Sequence, residues 1–402
     1  MILKTTLTEV VKSQRDSFLN TDMGVQREIL KDIKLTPGVA TVITGIRRAG
    51  KSTLLRQLIN NKSLFNYLNF EDVKIFGFDL RDFVRLEEVF SESGNSDLFF
   101  FDEIQNVDGW ERYIRTLLDK RKTVIITGSN ASLLSRELGT RLTGRHRSIE
   151  IYPFSFNEFL SLKKAKPYIK LFDNYFTSGG FPLFLNEPDE AVLQELFNDI
   201  IARDITVKYS LRNSKLVKEL ALNLILNVGK EFSYQKLKKN YSIGSVNTVI
   251  SLVGYYEESY LLFTVPQFDY SLKKQQVNAK KIYCVDNGLI NSNSVSFSSD
   301  AGKKLENLVF VQLKRMGSDV FYFSKDTECD FIARFPNKQL KTYQVCFSLT
   351  EDNKDREING LLEALRHIKQ KEGIILTYDQ KDEFEVDGNK VIVMPVWEWL
   401  LN

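Results

Sequence analysis

The stretch Gly45-Ile46-Arg47-Arg48-Ala49-Gly50-Lys51-Ser52, followed by Thr53, satisfies the spacing GxxxxGK[ST] in full. Residues of these types in this order build a cradle for a chain of phosphates. Glycines let backbone N–H groups close around phosphate oxygens, and the helix that follows adds the positive end of its dipole. Lys51 reaches the β- and γ-phosphates, and the Ser52 hydroxyl binds Mg²⁺. Residues Gly45 to Thr53 are therefore the candidate nucleotide-binding segment. Since Lys51 supplies charge at the phosphates, the side chains of Arg47 and Arg48 are read as pointing away, toward a neighbouring domain, subunit or nucleic acid.

An isolated strand-to-helix turn can fit this pattern without binding anything, so the loop needs partners. They follow 51 positions after Lys51, where the apolar run "DLFFFDE" ends in Asp102 and Glu103. In that pattern Asp102 holds Mg²⁺ from beyond its direct ligands, and Glu103 aligns and polarises the attacking water; the plainer reading is a solvated acidic turn. The next apolar run, "KTVIITGSN", ends in Ser129 and Asn130. Asn130 stands where a sensor of the γ-phosphate belongs, or is a turn or capping residue. In "RLTGRHR", Arg141 or Arg145 serves as an arginine finger toward a neighbouring subunit, or the segment is a solvated basic loop. The candidate catalytic set is thus Lys51, Glu103, Asn130 and Arg145, with Ser52 and Asp102 at the metal. A guanine-recognising NKxD loop and the LSGGQ signature are both absent from the sequence, which favours adenine by default.

The elements that must position these residues read as short strands at 38–45, 65–72, 97–103, 122–130 and 147–154, alternating with helical stretches. Apolar strands separated by helices imply a doubly wound α/β parallel sheet. After Pro153, "SFNEFL" offers a capping box between Ser155 and Glu158. Helix continues to about residue 204, broken at "SGGFP" (178–182) by a hinge or tight connection. Residues 206–290 read as helix, short helix, helix and a two-stranded ribbon, the order of a winged helix. Residues from 300 onward read as a helix, three strands, a helix and two strands.

The chain has 402 residues, enough for two or three domains, with 43% hydrophobic and 27% charged residues and only 8 prolines, the composition of a folded protein without long disordered tracts. No basic-then-apolar leader and no apolar run of membrane-spanning length occurs in it, so it is read as cytoplasmic, without a membrane partner. Three cysteines without CxxC spacing and two histidines argue against a structural zinc site.

Together "GIRRAGKSTLL", "FFDEIQN", "ITGSNASLLS", "TGRHRSIEIYPFSFNEFL" and "GGFP" resemble the prokaryotic AAA+ type ATPases in which a P-loop core precedes a domain of unknown function, the AAA-14/DUF4143 architecture. The resemblance covers nearly the whole chain. It implies an ATP-binding, ATP-hydrolysing protein with Mg²⁺, oriented toward nucleic acid and able to form a homo-oligomer. It also implies a P-loop NTPase domain with a helical extension (1–205), a winged-helix domain (206–295) and a PD-(D/E)xK restriction-endonuclease-like α/β domain (296–402). The assignment of Arg145 rests mostly on it.

Residues 206–290 carry twelve Lys or Arg against six acids. That excess fits a double-stranded DNA backbone, with Lys236, Lys238 and Lys239 on the short helix and Lys273 and Lys274 at the wing tip. Ser245, Asn247 and Thr248 open the helix that faces base edges in such a module; packing between domains is the alternative use. A nuclease centre needs two acids for Mg²⁺ and a lysine to position water. Glu306 and Asp330 fit the acids, yet Gln344 and Cys346 stand where an acid and a lysine are expected, leaving Lys354 as a displaced substitute. The expectation is a nuclease-like fold without cleavage. The overall expectation is an ATPase coupled to DNA or partner binding; a non-hydrolysing, nucleotide-gated docking module is the alternative, and a DNA nuclease the less favoured one.

Overall fold

A computed structural model describes residues 1–59, 64–94, 96–131, 142, 144–294 and 300–401. The chain divides into two compact units, Met1–Ile151 and Tyr152–Asn402.

The first unit is built on five parallel strands: β1 (Ala40–Thr44), β2 (Asn66–Asn69), β3 (Leu98–Asp102), β4 (Thr123–Gly128) and β5 (His146–Glu150). Each lies inside, or within a residue of, a stretch whose apolar pattern predicted it. Their order is β2-β3-β4-β1-β5, with every neighbouring pair parallel. Strand β4 therefore sits between β1 and β3. This brings the three C-terminal strand ends carrying the loop, the acidic pair and Asn130 to one edge of the sheet.

Among the described residues the α-helices of this unit are α1 (Lys4–Asn20), α2 (Lys51–Ile59), α3 (Asp82–Glu92) and α4 (Trp110–Asp119). Leu7, Val10 and Val11 recur at helical spacing on α1 and enter the same core as Phe83 and Leu86 of α3 and Phe101 of β3. Aromatic contacts dominate there, with Phe83 stacked on Tyr113 at 3.9 Å between centroids. Burying a phenylalanine such as Phe101 contributes about 1.5–3 kcal/mol.

The second unit opens with the capping box read from the sequence. The Ser155 hydroxyl accepts from the Glu158 N–H at 3.1 Å while the Ser155 N–H donates to Glu158 Oε2 at 2.9 Å, starting a helix at Phe156. The 178–182 segment is a tight connection. A Cβ on Gly180 would fall 2.2 Å from the Phe154 carbonyl, and Pro182 then begins a short helix.

Helices Ser214–Ile225, Tyr234–Asn240 and Val246–Glu258, with β6 (Glu231–Phe232) between the first two, are followed by β7 (Leu262–Pro266) and β8 (Lys280–Cys284); the three strands form an antiparallel sheet in the order β6-β8-β7. Two features differ from the expected pair of strands. The two-residue β6 is too short to show a period of its own, and the β7–β8 connection holds a short helix, Leu272–Val277.

Residues from 301 form helix Ala301–Arg315 and a six-stranded mixed sheet. Its strands are β9 (Asp319–Ser324), β10 (Glu328–Arg334), β11 (Leu340–Val345), β12 (Glu372–Thr377), β13 (Asp382–Val386) and β14 (Asn389–Pro395), in the order β13-β14-β12-β11-β10-β9. The sequence reading missed β13 because three of its five residues are acidic; it is an edge strand. The signal was the Asp387-Gly388 pair, both at positive φ, which turns β13 into β14. Helix Glu351–Ile368 packs on this sheet so closely that a Cβ on Gly360 would meet the Glu328 carbonyl at 2.0 Å. Gly360→Ala is expected to lower the unfolding free energy by about 2 kcal/mol in chemical denaturation, since backbone must shift to admit the methyl group.

Candidate nucleotide site

Loop geometry at the end of β1 explains the glycines. Gly45 has φ near 150°, and a Cβ there would lie 2.1 Å from the Ile151 carbonyl; Gly50 has φ near 94°. Lys51 is 6% exposed, and its ammonium donates to the Gly45 and Ile46 carbonyls at 3.0 and 3.2 Å. Glu103 Oε1 lies 3.8 Å from the same nitrogen.

Asp102 is 1% exposed at the end of β3. The Ser52 hydroxyl donates to its Oδ2 at 2.7 Å, the Tyr67 hydroxyl approaches the same oxygen at 3.4 Å, and Thr127 Oγ1 donates to Oδ1. Burial, reinforced by the charge of Glu103, raises the Asp102 carboxyl above the usual range, against the pull of the Thr127 and Ser52 hydroxyls. Glu103 takes a left-handed conformation, with φ near 53°. Its N–H donates to Thr127 Oγ1 at 3.1 Å, and its Oε2 accepts from Gln105 Nε2 at 2.5 Å and from the Ser129 N–H at 3.3 Å. Asn130 is buried at the end of β4.

The structure thus gathers Gly45 to Thr53, Asp102, Glu103 and Asn130 at one sheet edge. It does not bring Arg145 there. The Arg145 carbonyl accepts from the Ala40 N–H at the opposite end of β1, a strand length of roughly 16 Å away, and its guanidinium pairs with Asp119 at 2.8 Å. Within one chain it cannot serve the loop. Arg141 lies outside the described residues. Arg47 does not simply leave the site: it reaches Glu71 Oε1 at 3.4 Å. Burial, followed by the charge of Glu103, raises the Glu71 carboxyl.

Several residues at this site were not read from the sequence. Thr127 and Tyr67 complete the collar around Asp102, and a polar residue inside the apolar run of β4 was the available signal for Thr127. Arg27 and Gln57 belong to no motif. Arg27 donates to the Ala49 carbonyl at 2.5 Å, and Gln57 donates to the Met23 and Val25 carbonyls at 2.8 Å each, tying the chain ahead of β1 to the loop and α2.

In the second unit, Glu306, Asp330 and Gln344 do come together. Asp330 N–H donates to Gln344 Oε1 at 3.2 Å. Two lysines reach them, Lys281 of β8 at 3.2 Å from both Glu306 Oε1 and Asp330 Oδ1 and Lys303 at 2.7 Å from Glu306 Oε2, whereas Lys354 lies over the Phe384 ring. Lys281 is buried, so it drops out of the basic surface counted over 206–290.

Residues 38–160 match the family model of an AAA domain. An uncharacterized protein of Methanocaldococcus jannaschii is 35% identical, over 94% of this chain and 91% of its own length. The chain belongs to the same family. An uncharacterized protein of Haemophilus influenzae is a further relative, 34% identical over 90% of this chain and 94% of its own. In place of the DUF4143 that the resemblance implied, residues 169–299 match DUF8612, a domain of unknown function. Among solved structures, the replication initiator DnaA bound to AMPPCP and single-stranded DNA aligns with 57% of this chain and 85% of its own, at 16% identity and a TM-score of 0.30. The parallel sheet and its phosphate loop lie within the segment that matches the AAA domain and fit a P-loop NTPase fold.

A carboxyl whose folded pKa lies above its unfolded value of about 3.9 weakens the fold as it ionises. This cost is absent near pH 4 and below, and grows as pH rises through the raised folded value. Asp102→Asn is therefore expected to raise Tm by roughly 2–4 °C at pH 7.5, a gain that fades toward pH 4. Parallel melts of variant and wild type from pH 4 to 8 check this.

Proposed function

We propose that the protein is a Mg²⁺-dependent ATPase whose nucleotide state is coupled to double-stranded DNA, or to a protein partner, through residues 206–295 acting as a winged helix. The observation that carries this reading is the convergence of Lys51, Ser52, Asp102, Glu103 and Asn130 on one edge of the parallel sheet. Residues 1–205 then form the ATPase with its helical extension, and residues 296–402 a nuclease-like domain without cleavage.

The residues present fit a divalent cation. Ser52 and Asp102 place a hydroxyl and a carboxylate 2.7 Å apart, and burial, then the charge of Glu103, raises the Asp102 carboxyl, so a cation there would favour its ionised form. Ser52 would hold the ion directly and Asp102 would face it. When bound, Mg²⁺ neutralises charge across the β- and γ-phosphate oxygens.

The chain's own residues do the rest. Backbone N–H groups of the loop orient the phosphates, and the Lys51 ammonium stabilises charge that builds on the γ-phosphoryl oxygens. Glu103 accepts the proton of the attacking water, its carboxylate steadied by Gln105 and the Ser129 N–H. Asn130 donates to the γ-phosphate. Arg145, at the opposite sheet edge, acts only on a neighbouring copy.

Lys236, Lys239, Asn247 and Thr248 are exposed on the two helices that would face DNA. The charge of Lys236 and Lys239 is met by phosphates in a salt-dependent way. ATP hydrolysis is expected to rise on adding duplex DNA at low salt, to lose that stimulation at moderate salt, and to fall by about 10²–10⁴-fold in Glu103→Gln while ATP binding persists. Turnover equal in wild type and Glu103→Gln would overturn the ATPase; turnover indifferent to DNA would overturn the DNA coupling.

A further inference from the structure

Lys281 is 1% exposed, an unusual position for a side chain whose ammonium is strongly hydrated in water. An ammonium has three donors, and here three carboxylates meet it. Glu328 Oε1 lies 2.5 Å from the nitrogen, and Glu306 Oε1 and Asp330 Oδ1 each lie 3.2 Å away. Glu328 and Asp330 are two apart on β10 and so share a face, and Glu306 comes from the helix Ala301–Arg315.

Glu306 and Asp330 have further partners. Tyr283, two residues beyond Lys281 on β8, donates its hydroxyl to Glu306 Oε1 at 2.6 Å, and Lys303 donates to Glu306 Oε2 at 2.7 Å. The Val345 N–H donates to Asp330 Oδ2 at 3.0 Å. Glu306 and Asp330 are buried, whereas the Glu328 side chain is about 50% exposed, so Lys281 meets two carboxylates inside the domain and a third at its surface.

Proteins hold converging buried carboxylates in two common ways, with a basic side chain or with an oxygen-ligated divalent ion. We propose that Lys281 is a built-in cation that takes the place of such an ion. The centre formed by Glu306, Glu328 and Asp330 is closed to metal in the intact protein, and becomes a divalent-cation site once the ammonium is removed.

The geometry suits the exchange. Calcium and magnesium hold oxygens at about 2.0–2.6 Å, so Glu306 and Asp330, now 3.2 Å from the nitrogen, need to move inward by roughly 0.6–1.2 Å. Among the described residues no three His, Cys, Asp or Glu side chains are spaced to hold a metal as they stand, so the acids must close in before an ion can bind. Charge agrees with geometry. Burial and the charge of Glu306 push the Asp330 carboxyl up to about 7. Burial also works to raise Glu306, but Lys281 and Lys303 outweigh it and hold this carboxyl below the usual range. The centre is thus set to retain a cation.

This inference does not depend on the nucleotide reading, and its test uses the full chain. Mn²⁺ binding is counted by electron paramagnetic resonance in wild type, Lys281→Ala and Lys281→Ala/Asp330→Asn, with melting curves in chelator and in Mn²⁺. Lys281→Ala is expected to melt lower than wild type in chelator, to recover in Mn²⁺, and to bind one Mn²⁺ per chain more than wild type. Adding Asp330→Asn is expected to remove both the recovery and the extra ion. Equal Mn²⁺ binding in wild type and Lys281→Ala would overturn the proposal, as would Asp330-dependent binding in wild type. Lys281→Gln, which removes the charge but keeps a longer, polar side chain, carries the same test if the alanine variant does not fold. Failure of both variants to fold even with Mn²⁺ present would also overturn it, leaving Lys281 as a charge that no metal replaces.

Discussion

A single buried carboxylate organises the first unit. Asp102 cannot hold charge at the end of β3 without donors, and its donors come from three other elements: Ser52 from α2, Tyr67 from β2 and Thr127 from β4. Strand β4 reaches it only because β4 lies between β1 and β3. The same Thr127 hydroxyl accepts from the Glu103 N–H and so fixes the residue next to Asp102 in its left-handed conformation. Sheet order, collar and aligned Glu103 are one constraint seen at three scales.

The second unit meets a similar demand with a different chemistry. Hydroxyls surround Asp102, and their pull does not offset burial and the charge of Glu103, so its carboxyl stays raised. Around Glu306 and Asp330 the partner is a full ammonium, and the charges nearly balance. A carboxylate ringed by hydroxyls still favours an incoming cation, whereas one bonded to lysine has its cation already. The contrast separates a centre built for exchange from one built for permanence. Buried ion pairs of this sort add little net stability compared with apolar packing, but they are costly to break from one side.

The five parallel strands and their ends were legible because apolar runs ending in Gly, Asp-Glu or Ser-Asn carry both the fold and the chemistry in a few adjacent residues. Lys51, Ser52, Asp102 and Glu103 were found for that reason. Tyr67, Arg27 and Gln57 were not, since their roles arise from contacts across the fold. Strand β13 was hidden by its acidic edge. Lys281 was read as part of a basic surface because a lysine's sequence neighbours do not reveal that three acids converge on it from a distant helix and strand. Arg145 was placed by a local motif, and only the parallel pairing of β1 with β5 shows it at the far end of the sheet.

The hold that the loop keeps on Lys51 has a further consequence. The ammonium is nearly out of water and bonded to two carbonyls of its own loop. Its dehydration therefore accompanies folding and need not be repeated when an anion arrives. A polyphosphate entering the loop exchanges neutral carbonyl partners for charged oxygens around a cation already stripped of solvent. Charge-assisted hydrogen bonds are roughly twice as strong as those to neutral acceptors, so the exchange runs toward phosphate. The loop's own carbonyls keep the lysine aimed until then, which makes selectivity for highly charged anions a property of the resting loop.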